Sequence, residues 1–141
     1  MTHVLIAEPD NSIRELLREV VGFLGWTCDV ASGPDAWELL ERSRPDLLIT
    51  EVVLRKMSGV ELVWCMKHHP SLHDIPVVFI SSPHYWGAAN LNSCDIFVAK
   101  PFHIDRLMEL LTSLMLEQRR GEPPPQSVSL EGGYPLSHWG P

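Results

Sequence analysis

The 141-residue sequence has little basic charge, with 11 Lys and Arg against 18 Asp and Glu and a formal net charge of −7. Nucleic-acid backbones and anionic membrane surfaces attract proteins through clustered Lys and Arg. The sequence contains no such cluster. Nucleic acid and membranes are therefore not expected as partners.

Long apolar runs and metal-type cysteine spacings are also missing. No segment approaches the roughly twenty apolar residues of a membrane span. The run from Val4 to Ala7 is too short for a signal peptide and has no basic leader. The cysteines, Cys28, Cys65 and Cys94, form no C-x-x-C pair. We expect a cytoplasmic protein with reduced thiols.

What the sequence does contain is an alternation of short apolar runs and amphipathic segments. The runs predict five buried strands: HVLIA, WTCDVA, DLLIT, PVVFIS and DIFVA. Helical spacing predicts a helix after each of the first three strands and a long last helix to about Arg119. The segment SPHYWGAANLNSC predicts only a short, irregular fourth helix. This order predicts a doubly wound, three-layer α/β domain with a parallel sheet.

The composition changes near the end of the chain. Residues 122–141 read EPPPQSVSLEGGYPLSHWGP, rich in Pro, Gly and Ser and without a period. We expect one domain over 1–120 and a flexible tail over 121–141. The alternative is that Tyr134, Leu136 and Trp139 dock on an apolar groove or a partner.

Polar residues end or follow four of the predicted strands: Glu8, Glu51, Ser81 and Lys100. Open α/β sheets bind ligands beyond the carboxyl ends of their strands, so these side chains are expected to converge on one site. Asp10 adds an acid in the loop after the first strand. A single carboxylate at such a position often only caps a helix. The prediction of a site therefore rests on all four strand-end residues occurring together. The loop EPDNSI lacks the Ser/Thr/Gly-rich phosphate cradle of a flavin binder.

Four stretches resemble the receiver domains of two-component response regulators, over residues 3 to about 118: VLIAEPDNSIRELL, PDLLITEVVLRKMSGVEL, IPVVFISS and VAKPF. The resemblance implies a flavodoxin-like (βα)5 fold and a signalling role in a phosphorelay rather than an enzyme. It implies protein partners such as a sensor kinase or an effector. It also implies a homodimer surface formed by the fourth helix, the fifth strand and the fifth helix.

The resemblance assigns roles to the residues at the strand ends. Glu51 takes the phospho-acceptor position, which the family fills with Asp. Glu8 takes the first of two acidic metal-binding positions, and Pro9 takes the second.

Three further positions follow from the same resemblance. Ser81 corresponds to the switch hydroxyl, Phe97 to the switch aromatic and Lys100 to the lysine that contacts the phosphate. The Lys100–Pro101 bond is expected to be cis, as the family's is.

Two departures from the family pattern predict altered chemistry. Glu51 extends its carboxylate by about 1.5 Å, and a misplacement on the order of 1 Å can cost roughly 100-fold in rate. Pro9 removes an acid from the Mg²⁺ site, leaving Glu8, Glu51 and the Val53 backbone as a weakened ligand set. We expect a pseudo-receiver with no cofactor, apart from Mg²⁺ if the weakened ligand set still binds it. Three alternatives stay open: Glu51 mimics the phosphorylated state, Glu51 is inert in a docking module, or the altered site still accepts a phosphoryl group.

Histidines and tryptophans suggest other surfaces. His68, His69 and His73 lie around a helix-ending proline without a diagnostic fourth ligand, so no metal site is predicted. Trp64 falls off the apolar stripe of the third helix and is expected at the surface. Trp86 either packs inward or marks a partner surface.

Overall fold

A computed structural model describes residues 1–90 and 94–120, except for the side chains of residues 119 and 120. Five parallel strands form one sheet: β1 (His3–Ala7), β2 (Thr27–Ala31), β3 (Leu47–Thr50), β4 (Val77–Ser81) and β5 (Ile96–Ala99). Their order is β2-β1-β3-β4-β5, the flavodoxin-like order. The predicted fold class is confirmed, and the strand bounds agree with the apolar runs to within one residue. The predicted tail over 121–141 lies outside the described residues.

The helices cover both faces of this sheet: α1 (Asn11–Phe23), α2 (Asp35–Ser43), α3 (Gly59–Lys67), α4 (Trp86–Asn90) and α5 (Ile104–Arg120). Side-chain caps fix two of their N-termini, because Asp10 accepts from the Ile13 N–H at 3.0 Å and Ser58 accepts from the Val60 N–H at 3.0 Å. A 3₁₀ turn, Pro83–Tyr85, precedes the short helix α4. The weak fourth helix expected from the sequence is confirmed.

The core lies in two clusters, one on each face of the sheet. Residues such as Phe79, Phe97 and Trp86 pack on the side of α2, α3 and α4. Residues such as Leu17 and Leu111 pack on the side of α1 and α5. Because both faces are covered, the strands are apolar continuously rather than alternately. Trp86 is buried, so the inward alternative holds for this side chain.

No helix in the described parts of the chain combines the length and the apolar character needed to cross a bilayer.

Candidate functional site

Four strands deliver polar side chains to one edge of the sheet. Glu8 follows β1, Glu51 follows β3, Ser81 ends β4 and Lys100 follows β5. Glu8 is 2% exposed, Glu51 9% and Ser81 0%, although all three are polar. Buried polar groups of this kind need partners, and each finds them among the others.

The Glu51 carboxylate receives hydrogen bonds from three directions. Its Oε2 lies 2.6 Å from the Lys100 Nζ. Its Oε1 accepts the Val52 backbone N–H at 2.7 Å and the Ser81 hydroxyl. These three hydrogen bonds, one of them from a cation, stabilise the ionised form of this nearly buried carboxylate.

Lys100 bridges Glu51 to Glu8. Its Nζ lies 2.8 Å from the Glu8 Oε1. Burial by itself lowers the pKa of Lys100, but the hydrogen bonds to Glu51 and Glu8 outweigh burial and raise the pKa above its usual value. The lysine therefore stays charged at neutral pH, as one cation between two carboxylates.

Backbone contacts hold the loop after β1 in place. The Asp10 N–H donates to the Glu8 Oε2 at 3.0 Å, while the Asp10 carboxylate turns away to cap α1. The Arg14 guanidinium donates to the Glu8 carbonyl at 2.9 Å. Arg55, from the loop after β3, reaches the Pro9 carbonyl at 3.3 Å. Two arginines thus donate hydrogen bonds to backbone carbonyls that border the acidic pocket.

The loop after β3 forms a short antiparallel hairpin of Val53–Leu54 with Met57–Ser58. It returns to α3 at Gly59, where an added Cβ would lie 2.0 Å from the Glu51 carbonyl oxygen. Only glycine permits this approach, so Gly59 sets the position of Glu51. Sequence reasoning did not identify the hairpin, because its two-residue strands are too short to show a period.

These residues line an open cleft of about 370 Å³. Its polar lining consists mainly of Glu8, Asp10, Glu51, Ser81 and Lys100. Pro9, Ile13, Val53 and Tyr85 supply an apolar rim. The structure therefore brings together five of the residues expected in the site from sequence.

The remaining sequence-predicted residues lie elsewhere or contribute backbone only. Phe97 is buried in the core beside Phe79 rather than in the cleft lining. The Lys100–Pro101 bond is cis. Among the described residues, His68 stacks on Trp64 and His69 lies edge-on to Trp37. These imidazoles contact aromatic rings instead of converging on a metal position.

A family match agrees with three features of this structure: its strand order, the acids at its strand ends and the lysine before a cis proline. The response regulator receiver domain family matches residues 4–112. This chain belongs to that family. The receiver domain is 27% identical over 116 residues to the response regulator MprA of Mycobacterium ulcerans, covering 79% of this chain and 49% of that protein. The chain spans about half the length of the curated relatives it matches.

Solved structures agree on the fold. The chemotaxis response regulator CheY4 of Vibrio cholerae superposes with a TM-score of 0.73 at 22% identity, over 79% of this chain and 97% of that one. The receiver domain of the sensor histidine kinase PA1611 from Pseudomonas aeruginosa superposes with a TM-score of 0.69 at 17% identity, over 86% and 98%. That structure has a magnesium ion coordinated in its active-site cleft.

Receiver domains typically bind Mg²⁺, but the donors of this receiver domain do not fit one. Both oxygens of Glu51 and both oxygens of Glu8 already accept hydrogen bonds from protein donors. Pro9, which the resemblance places at the family's second acidic position, offers no carboxylate. Within residues 1–90 and 94–120, no group of three His, Cys, Asp or Glu side chains is arranged around a metal position. A divalent cation would have to displace the Lys100 ammonium from between the two carboxylates.

Proposed function

We propose that this chain is a pseudo-receiver of two-component signalling, acting through protein contacts and without normal aspartyl phosphorylation. Residues 1–120 form the signalling domain, and residues 121–141 form an extension outside it. The domain holds no Mg²⁺ for catalysis and acts in the cytoplasm, where its partner is a sensor kinase or an effector. It is not an enzyme in this proposal.

The proposal rests on the three hydrogen-bond donors that surround the Glu51 carboxylate. An ammonium, a hydroxyl and a backbone amide surround one carboxylate, at 2.6 Å for Lys100 and 2.7 Å for Val52. Such donors stabilise an anion by charge and by directed N–H and O–H groups. In the receiver family, the resemblance places a phosphoryl group within reach of the lysine and the switch hydroxyl. Here the longer side chain of Glu51 occupies those donors itself.

The same geometry opposes phosphoryl transfer. A nucleophilic carboxylate oxygen must be aligned with the phosphorus, and both Glu51 oxygens are already oriented by hydrogen bonds from Val52, Ser81 and Lys100. Transfer also needs cations on the phosphoryl oxygens. The cation at this site, Lys100, is already shared by two carboxylates. Attack by Glu51 would require the network to open first.

Labelling with a small phosphodonor tests the loss of phosphorylation. We expect no stable phosphorylated species when the chain is incubated with acetyl phosphate and Mg²⁺ and its intact mass is measured. The matched control is the double variant Pro9→Asp/Glu51→Asp, which restores the family's acids and should gain a phosphoryl group. A stable phosphoryl adduct mapped to Glu51 in the wild-type chain would refute the proposal.

A binding experiment separates a phosphate mimic from an inert site. Glu51→Gln keeps the shape of the side chain and removes its charge. If Glu51 acts as a mimic, partner capture from a cell extract should weaken about tenfold or more, in line with roughly 1.5–3 kcal/mol for a hydrogen bond to a charged group. Unchanged affinity would favour the docking module, in which Glu51 has only a structural role.

A further inference from the structure

An apolar groove runs between helices α1 and α5 on the surface of the domain. It has two adjoining parts of about 210 and 550 Å³, which share Phe23 and Met108 in their lining. Apolar side chains from both helices supply much of this lining: Leu16, Val20, Phe23, Leu24, Ile104 and Met108. Phe23 is 81% exposed and Ile104 is 40% exposed. A contiguous apolar surface on a soluble domain usually marks a binding site.

The apolar surface of this α1/α5 groove continues along α5 to the point where the tail begins. One row on the helix surface, at four-residue spacing, contains Ile104, Met108, Thr112 and Leu116. Leu116 is 44% exposed and lies about one turn before Arg120, the last residue of the helix. Residues 121–141 therefore leave the domain at one end of this row.

The tail has the composition of a segment that can fill an apolar groove. After the prolines at 123–125 it reads QSVSLEGGYPLSHWGP, which contains one Glu and no Asp, Lys or Arg. Apolar side chains recur at alternate positions, first Val128 and Leu130 and then Tyr134 and Leu136, and Trp139 follows. In an extended segment, alternate side chains point to the same side. Such a segment can present several apolar side chains to one groove.

The covalent connection favours this tail over a separate molecule as the occupant. Ser113 is the lining residue nearest to Arg120, and a helix rise of about 1.5 Å per residue puts the two about 10 Å apart. A connector as long as residues 121–127 spans about 15 Å on average. A tether whose span suits the distance to a site gives an effective concentration on the order of millimolar. A free partner at micromolar concentration competes poorly with a segment held in this way.

We propose that residues 128–139 occupy the α1/α5 groove of their own chain, with their apolar side chains packed on Phe23 and Met108. The contact turns an apolar patch of the domain surface into an internal interface. It uses no residue of the Glu51 network and goes beyond the function proposed above, so either proposal can fail without the other.

Photo-cross-linking of the full chain tests the position of the tail. Phe23→benzoylphenylalanine keeps an aromatic ring at this exposed position and adds a photoreactive group. On irradiation of a dilute sample, we expect a cross-link to a residue within 128–139, in a product with the mass of one chain. The control is the same replacement of Trp64, which is 55% exposed on α3, and it should give no link to the tail. A main product with the mass of two chains, or no link from position 23 to the tail, would overturn the proposal.

NMR relaxation of the full chain measures whether the tail is held in solution. Backbone order parameters of residues 128–139 should approach the roughly 0.85 of rigid backbone in the wild-type chain and fall below about 0.6 in Phe23→Glu. Trp139→Ser should lower them too, and because this position lies outside the core of the domain, the change cannot act by unfolding it. Trp64→Glu adds the same charge to another exposed aromatic position and should leave the tail unchanged. Order parameters below about 0.6 in the wild-type chain, or equal loosening by Trp64→Glu, would contradict the docking.

Discussion

Replacing Lys100 by Met should destabilise the domain strongly. The substitution keeps most of the length of the side chain and removes the ammonium. Lys100 lies 2.8 Å from Glu8 and 2.6 Å from Glu51, whose side chains are only 2% and 10% exposed. Without the cation, two nearly buried carboxylates would repel each other in a site with little water.

The size of the effect follows from burial. Removing one partner from a buried ion pair typically costs about 3–5 kcal/mol, because a charge is left uncompensated. The Lys100 side chain is 22% exposed, so water can partly replace the ammonium and the lower end applies. We therefore expect a loss of about 3 kcal/mol. Adding Glu51→Gln to Lys100→Met should recover part of it, since one of the repelling charges is then gone.

Urea unfolding followed by circular dichroism provides the measurement. For a domain of this size, a loss of about 3 kcal/mol lowers the unfolding midpoint by roughly 2 M urea. Lys67→Met is the control: the Lys67 Nζ contacts the carbonyls of His73 and Ile75, at 3.3 and 3.0 Å, rather than a carboxylate. Because one of these contacts is exposed and the other only partly buried, water can replace much of them, and the cost should stay at about 1–2 kcal/mol. A Lys100→Met cost no larger than that of Lys67→Met would show that the carboxylates are well hydrated and would refute the reasoning.

Three further outcomes are expected. Gly59→Ala should cost about 1–3 kcal/mol in urea unfolding, because its Cβ would lie 2.0 Å from the Glu51 carbonyl oxygen; a cost near zero would disprove the close approach. Ellman's reagent should label the exposed Cys65 first and Cys94 last, since burial raises the pKa of Cys94 to about 12; equal rates would contradict this. Burial also raises the pKa of Asp95 above 3.8, so its ionisation lowers stability as the pH rises above that value. Asp95→Asn should therefore gain stability relative to wild type between about pH 3 and pH 7, and a difference independent of pH would argue against it.

The fold was predictable because its signals are local. Each strand is a short apolar run bounded by polar residues, and the parallel order follows from the alternation with helices. The convergence of Glu8, Glu51, Ser81 and Lys100 followed from the same rule, since strand ends in a parallel sheet share an edge. Helix α4 was also foreseen as weak, because Gly87 and Asn90 are poor helix formers.

The rest of the site depends on backbone groups and on contacts between distant loops, which leave no pattern in the sequence. The Val52 N–H that donates to Glu51 is a backbone group, so the identity of residue 52 gives no sign of this contact. The Arg55 guanidinium contacts the carbonyl of Pro9, which lies 46 positions earlier in the sequence. This contact depends on a hairpin whose two-residue strands are too short to show a periodic pattern. Asp10 was expected in the acidic pocket, and the structure shows that its backbone serves the pocket while its carboxylate caps α1.

The charge held by Lys100 and Ser81 is part of the polypeptide. A phosphoryl group on an aspartate is removed by hydrolysis, whereas the Glu51 carboxylate remains for as long as the chain is intact. If Glu51 acts as the proposed phosphate mimic, the signal that it stores has no chemical half-life and cannot be reset by a phosphatase. Cells that use it would have to control the number of molecules, through synthesis and degradation, instead of the fraction that is modified.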